Sequence, residues 1–196
     1  MTLIEALEAL HAVRRGEVVV TTMGNAREWQ KLGKDPLDLI YMPSSMGQAT
    51  SFALGIALAR PERKVVVCNG DGSMLMNLGS LVTISAQAPA NLTVIVFDNG
   101  AYEVTGGQPT AAAPVLRPNA APVDFAAMAR ASGFTRVYAF DAVDAWRNAL
   151  GEILGAAGPT FVQLRVAPMA DAGLPAFPGP APERARALRA ELTRSE

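Results

Sequence analysis

Two short polar clusters, separated by 25 residues (73 to 97), carry the residue types that could do chemistry in this chain. Gly70-Asp71-Gly72-Ser73 follows the apolar run Val65 to Cys68, and Asp98-Asn99-Gly100 closes a second apolar run, Leu92 to Phe97. Gly70 and Gly72 let backbone approach a phosphate closely, and free N–H groups where a helix begins favour its charge. Asp71 between them repels a bare phosphate but suits a divalent cation bridging to one. Magnesium takes about six oxygens, commonly one or two carboxylates plus ligand phosphates. Asp71, the side-chain oxygen of Asn99 and a backbone carbonyl just beyond Asn99 can supply three. Each cluster alone is equally a turn signal. The pair, at the ends of adjacent predicted strands, is what points to a metal.

Alternating strand and helix patterns must position these clusters. Leu3, Leu7 and Leu10 predict an amphipathic helix over 2–14, stopped at Gly16. Strand 17–22 leads to Met23-Gly24-Asn25 and a short helix over 26–32. A weak strand over 37–42 is broken at Pro43, and Ser44-Ser45-Met46-Gly47 turns into a thin Ala/Gly helix over 48–59. Strand 64–69, helix 74–87 and strand 92–97 form a βαβ unit. Residues 106–122 form a long Gly/Pro/Ala loop without periodicity. Asp124 caps a helix to Ala131. Strand 135–139, helix 141–154 and strand 160–166 complete an α/β fold with a doubly wound parallel sheet and helices on both faces. Residues 1–168 are expected to be one domain, and 169–196 a Pro-rich arm ending in a charged helix with Leu188 and Leu192 to bury.

Composition narrows the function classes. The chain has 196 residues, 50% of them hydrophobic, and a formal net charge of -1. Such a balance gives no support for nucleic-acid binding through bulk electrostatics. The apolar share, with a mean hydropathy of +0.20, hints at surface buried against another subunit. Cys68 is the single cysteine, which excludes an intrachain disulfide and a cysteine-rich metal centre held by this chain alone. No apolar run approaches a membrane span, and the first residues lack a signal-peptide layout, so a cytoplasmic location is expected.

Gly70-Asp71-Gly72, 25 residues and then Asp98-Asn99 resembles the motif of thiamine-diphosphate-dependent enzymes. DNGAYEVTGGQPT (98 to 110) and PSSMGQATSFALGIALA (43 to 59) are similar to the narrower group of phosphonopyruvate and sulfopyruvate decarboxylases. The resemblance covers roughly residues 17 to 166. It implies that Asp71, Asn99 and the carbonyl of Ala101 are Mg²⁺ ligands, and that Gly70, Gly72 and Ser73 contact the diphosphate. It also implies that Met46 props the cofactor in its bent shape, and that Ser44 accepts from the pyrimidine amino group beside Gly47. Thr22, Gly24 and Asn25 match a loop near the pyrimidine and diphosphate, and Tyr102 lies beside the metal turn. Asp98 replaces the first Asn of the family pair, which is usually not the ligand, and Ser44 replaces a Gly.

Family enzymes need a pyrimidine-binding domain whose glutamate activates the cofactor, and this sequence shows none. The resemblance therefore implies a β-type subunit working with a separate pyrimidine-binding α-type subunit, with self-association expected. The implied activity is decarboxylation of a small anionic 2-oxoacid, with 3-sulfopyruvate first and phosphonopyruvate as the alternative. An acetolactate-synthase-like carboligase subunit matches segment 98 to 110 less well. A 2-oxoacid:ferredoxin oxidoreductase β subunit is disfavoured, because many of those carry cluster-binding cysteines. A non-catalytic cofactor-binding or scaffolding subunit is the alternative of another class. Glu103 is the candidate for proton transfer or polar positioning, against a solvent-facing loop carboxylate. Arg27 and Arg117 are candidates for the substrate anion, against ordinary surface arginines. His11 is expected at a surface or interface, and Cys68 in the core.

Overall fold

The computed structural model describes residues 1–42, 46–116, 119–170, 173 and 176–194. Its centre is a six-stranded sheet built from β1 (Val18–Thr21), β2 (Asp38–Ile40), β3 (Val65–Gly70), β4 (Leu92–Asp98), β7 (Arg136–Phe140) and β8 (Thr160–Arg165). The strand order is β2-β1-β3-β4-β8-β7, and every neighbouring pair is parallel. β5 (Ala101–Tyr102) and β6 (Gln108–Pro109) form a separate two-stranded antiparallel ribbon. The Val-rich inner strands are buried on both faces, as a parallel sheet covered by helices requires.

On one face lie α3 (Ala49–Ala59), α5 (Gly79–Gln87) and α6 (Phe125–Ala131), against Val65, Val67, Val94 and Phe161. The opposite face packs α1 (Leu3–Val13), α2 (Met23–Trp29) and α7 (Val143–Gly155) on Val19, Val66, Ile95 and Val162. This is the doubly wound architecture that the alternation predicts. α1 begins with a capping box, in which the Thr2 hydroxyl accepts from the Glu5 N–H and the Glu5 carboxylate accepts from the Thr2 N–H. The Trp146 indole donates to the Ala6 carbonyl at 3.0 Å, tying α7 to α1.

Three local readings are corrected. The single helix expected over 74–87 is two, α4 (Asp71–Met76) and α5. Asn77 leaves helical geometry (φ −147, ψ 51), and its side-chain amide donates to the Gly47 carbonyl at 2.9 Å. That tertiary bond outweighs local helix propensity. The helix expected at 26–32 begins at Met23, so Gly24 and Asn25 form its first turn rather than a loop. Loop 106–122 contains β6 and a 3₁₀ turn, Pro114–Leu116.

The charged C-terminal segment forms α8 (Ala181–Leu192), whose Leu188 is buried in the first core cluster. Among the described residues, no helix is long and apolar enough to cross a membrane.

Candidate cofactor site

Strand order locates the site. The chain leaves β1 toward β2 on one side and reaches β3 on the other, so the crevice beyond their carboxyl ends is a topological switch point, where open α/β sheets bind ligands. A cavity opens there, lined by Gly24 and Asn25 after β1, by Gly70 to Ser73 after β3, and by Asn99 and Ala101 to Glu103 after β4. Met46 closes one side. Thr22 and Gly47 do not line the cavity, although both are buried close to it in sequence. Ser44 lies outside the described residues, as does Arg117.

Asp71 is 1% exposed and opens α4. Its Oδ2 accepts from the Thr110 hydroxyl at 3.1 Å. Burial, with the nearby Asp98 second, pushes the Asp71 carboxyl up to about 6, against the lowering effect of the Gly72 N–H and Thr110. Burial also raises Asp98, whose Oδ2 accepts from Gln163 Nε2 at 2.8 Å. Asn99 Oδ1 accepts from the Ala101 N–H at 2.9 Å, an Asx turn that fixes the chain just after β4. A second lone pair of that oxygen is left over, and Asn99 lines the cavity.

Glycine is needed at two positions here. A Cβ on Gly72 would stand 2.5 Å from Tyr102 Cε1, closer than side chains approach. Gly47 has φ +87, and a Cβ there would lie 3.1 Å from the Ser73 carbonyl. A Cβ on Gly70, by contrast, would meet nothing within 4 Å, which leaves its backbone open to a ligand.

Glu103 is half-buried, and its Oε1 accepts from the Met169 N–H at 2.6 Å. Burial raises its carboxyl, opposed by hydrogen bonds from Met169 and Asn99. It therefore faces the cavity wall rather than bulk solvent. Arg27 is absent from the residues lining the cavity; its Nε lies 3.6 Å from the Glu28 carboxylate. Its charge nevertheless lowers the carboxyl of Glu103, which does line the cavity, so Arg27 stands near the site without forming its wall. His11 stacks edge-on to Trp29 with ring centroids 5.4 Å apart, away from the strand ends. Cys68 is fully buried, and its thiol is pushed far up by desolvation.

Several site residues escaped the sequence reading. Thr110 arrives from beyond β6, and Met169 and Val166 from the segment after β8. Met23 lines the cavity with φ +53, an uncommon conformation for a side chain of its size. Asn69, fully buried beside Gly70, has both amide atoms unpartnered among the described residues. Thr110 sits in the GGQPT segment at the edge of the motif, which is the one sequence signal that pointed toward it.

The comparisons agree with this geometry. The family model described as thiamine pyrophosphate enzyme, C-terminal TPP binding domain, matches residues 21–164. The chain is 42% identical over 194 residues to a phosphonopyruvate decarboxylase of Streptomyces viridochromogenes, covering 98% of this chain and 46% of that protein. It thus spans less than half the length of that relative. It is 39% identical over 166 residues to the sulfopyruvate decarboxylase subunit beta of Methanothermobacter thermautotrophicus, covering 84% of this chain and 82% of that one. Among solved structures, benzoylformate decarboxylase from Polynucleobacter necessarius is similar in fold, with a TM-score of 0.66 at 20% identity over 85% of this chain and 33% of that one. The glycine and aspartate turn after β3, the Asx turn after β4 and the matched span of 21–164 together place the chain among the thiamine pyrophosphate enzymes, as a member carrying their C-terminal cofactor-binding domain.

Proposed function

We propose that this chain is the diphosphate- and Mg²⁺-binding part of a thiamine-diphosphate-dependent 2-oxoacid decarboxylase, working with a separate pyrimidine-binding subunit on 3-sulfopyruvate. The observation that carries the reading is the convergence of Asp71 and Asn99, from the ends of neighbouring β3 and β4, on one cavity. Similarity over 82% of a sulfopyruvate decarboxylase subunit beta favours the split arrangement and that substrate. The 42% identity to a phosphonopyruvate decarboxylase keeps phosphonopyruvate as the second reading.

The residues fit the cofactor. Asp71 is a buried carboxylate whose ionised form is disfavoured as it stands, which a divalent cation would reverse. Among the described residues no three His, Cys, Asp or Glu side chains cluster. One carboxylate, one amide oxygen and one carbonyl suit a hard cation that completes its shell with phosphate oxygens and water. Asp71, Asn99 and the Ala101 carbonyl would hold Mg²⁺. Gly70 exposes backbone, and Gly72 and Ser73 would lie against the diphosphate, with the Ser73 N–H as a donor to it. Met46 would support the cofactor's bend, with Gly24 and Asn25 on the opposite wall. Thiamine diphosphate, when bound, supplies the electron sink on which loss of CO₂ depends.

This chain's own residues then manage position and protons. Decarboxylation of a 2-oxoacid to an aldehyde replaces CO₂ with one proton at the former carbonyl carbon. Glu103, raised by burial and held by the Met169 N–H, would hold that proton. Val166, Phe97 and Leu3 give the cavity an apolar wall. Phe52, Leu58, Met76 and Val82 are large apolar side chains left exposed on α3, α4 and α5, and they support burial against a partner subunit or a second copy.

The test is co-expression with a pyrimidine-binding partner, followed by measurement of CO₂ and aldehyde release from sulfopyruvate and from phosphonopyruvate with Mg²⁺ and thiamine diphosphate. Sulfopyruvate turnover is the expected result. Turnover of phosphonopyruvate alone selects the second reading, and no turnover of any 2-oxoacid leaves a non-catalytic cofactor-binding subunit.

A further inference from the structure

The segment Arg27 to Pro36 (REWQKLGKDP) carries three cations, Arg27, Lys31 and Lys34, in a chain whose formal net charge is -1. Arg27 and Lys31 stand four residues apart where α2 ends, a spacing that keeps them on one side of the helix. All three line a second cavity of about 840 Å³, between the α2–β2 connection and the C-terminal arm. That volume falls within the roughly 300–1,000 Å³ typical of small-molecule sites. The arm and α8 contribute Phe177, Pro178, Ala187 and Leu188, and one more cation, Arg184. This cavity shares no lining residue with the cofactor cavity.

Two carboxylates also line it, and both are already engaged. Arg14, whose side chain is only 6% exposed, pairs with Asp35 at 3.3 Å and also with Asp38. Asp35 Oδ1 further accepts from the Leu37 N–H at 2.8 Å. The buried Glu28 carboxylate accepts from Lys31 Nζ at 2.7 and 2.8 Å and lies 3.6 Å from Arg27 Nε. Lys34 is exposed and, among the described residues, has no ion-pair partner. With Arg14 and Glu28 included, five cations meet three carboxylates, so positive charge is left over. Phe177 is 75% exposed, which leaves an aromatic ring bare beside that charge. We propose that this cavity binds a small phosphate-bearing anion with a planar ring, of the nucleoside diphosphate class, its phosphates toward Lys34 and its ring against Phe177. The charged end would be held by the uncancelled cations and the ring by stacking. The proposal does not depend on the function assigned to the cofactor site.

The experiment titrates the full chain, free of thiamine diphosphate, with ADP, inorganic diphosphate and adenosine. Binding is read by calorimetry and by the backbone amide shifts of Gly33 and Lys34, which lie in the cavity lining. ADP should bind more tightly than either fragment and shift both amides. Lys34→Glu should weaken ADP about fivefold at low salt, a difference that shrinks as salt screens the exposed charge; Lys34→Arg should retain affinity. Phe177→Ala should weaken ADP about tenfold and leave inorganic diphosphate unchanged. Both side chains are exposed, so these variants leave the core intact. Asp71→Asn, which removes the carboxylate of the cofactor turn, should bind ADP as the parent does. Loss of ADP binding in Asp71→Asn, with none in Lys34→Glu, would put the nucleotide in the cofactor cavity and overturn the proposal. Inorganic diphosphate that binds as tightly as ADP, with ADP indifferent to Phe177→Ala, overturns the ring-bearing ligand. No binding of any probe at millimolar concentration overturns the site itself.

Discussion

The Thr110 hydroxyl donates to Asp71 Oδ2 across 3.1 Å, between two side chains that are 0% and 1% exposed. The bond stabilises the carboxylate form and so opposes the burial that raises Asp71. Thr110→Val keeps the shape and removes the donor. Losing a buried hydrogen bond to a charged group is worth roughly 1.5–3 kcal/mol, so the pH at which Mg²⁺-dependent cofactor binding is half-lost should move up by about one unit. Calorimetric titration of cofactor binding across pH 5 to 8 would measure it; an unmoved midpoint would show that Thr110 does not act through Asp71.

Asp71 itself gives a linked pair of outcomes. Its folded carboxyl sits at about 6, above the ordinary 3.8. A carboxyl raised on folding is a cost that is absent below the ordinary value and fully present above about 6, so the cofactor-free chain loses stability as pH rises through that window. At about 1.4 kcal/mol per unit, the cost is on the order of 3 kcal/mol at pH 7. Asp71→Asn should therefore raise the Tm of the cofactor-free chain by roughly 7 °C at pH 7, with little change at pH 4. The same variant should lose Mg²⁺-dependent cofactor binding. Thermal melts at both pH values, with and without Mg²⁺-thiamine diphosphate, separate the two effects.

Gly72→Ala tests the close approach at the turn. Its Cβ would stand 2.5 Å from Tyr102 Cε1 and 2.7 Å from Cδ1, so the ring must swing away. The expected loss is about 1–3 kcal/mol, with cofactor affinity falling because Tyr102 lines the same cavity. Combining it with Tyr102→Ala should cost much less than the sum of the two single changes. Strict additivity by denaturant unfolding would show that the ring is not what Gly72 accommodates.

Glu103 holds two possible duties, and one substitution separates them. Glu103→Gln retains an oxygen to accept from the Met169 N–H but cannot carry a proton. If Glu103 transfers the proton, kcat for aldehyde formation by the assembled enzyme should fall about 10²–10⁴-fold with Tm unchanged. If activity survives Gln but falls with Glu103→Ala, the carboxylate serves to hold residue 169 in place.

The turns after β3 and β4 were legible in the sequence because each is local. A buried Val run, a Gly-bearing stop and polar side chains within four residues suffice to place Asp71 and Asn99 at strand ends. The sheet was legible for the same reason, since each inner strand is a continuous apolar run. What sequence did not disclose depends on distant partners. The break at Asn77 exists because its amide reaches Gly47, 30 residues earlier. Thr110 and Met169 meet Asp71 and Glu103 only after the ribbon and the post-β8 segment have folded back. Arg184 looked like one charge among many on a surface helix; only the docked position of α8 turns it toward β2.

The Asp98 carboxylate accepts from both Gln163 Nε2 and the Gly100 N–H, while Gln163 Oε1 accepts from the Ala126 N–H at the start of α6. Donors therefore surround Asp98, and Gln163 is fixed in one orientation by α6. An asparagine at 98, as in the family's usual pair, offers one acceptor oxygen in place of the carboxylate's two. An asparagine here keeps both hydrogen bonds only if its one oxygen accepts from Gln163 and Gly100 together. Asp98, Gln163 and the start of α6 thus form one hydrogen-bonded chain from the end of β4 across β8, and a change at any of the three is felt at the other two.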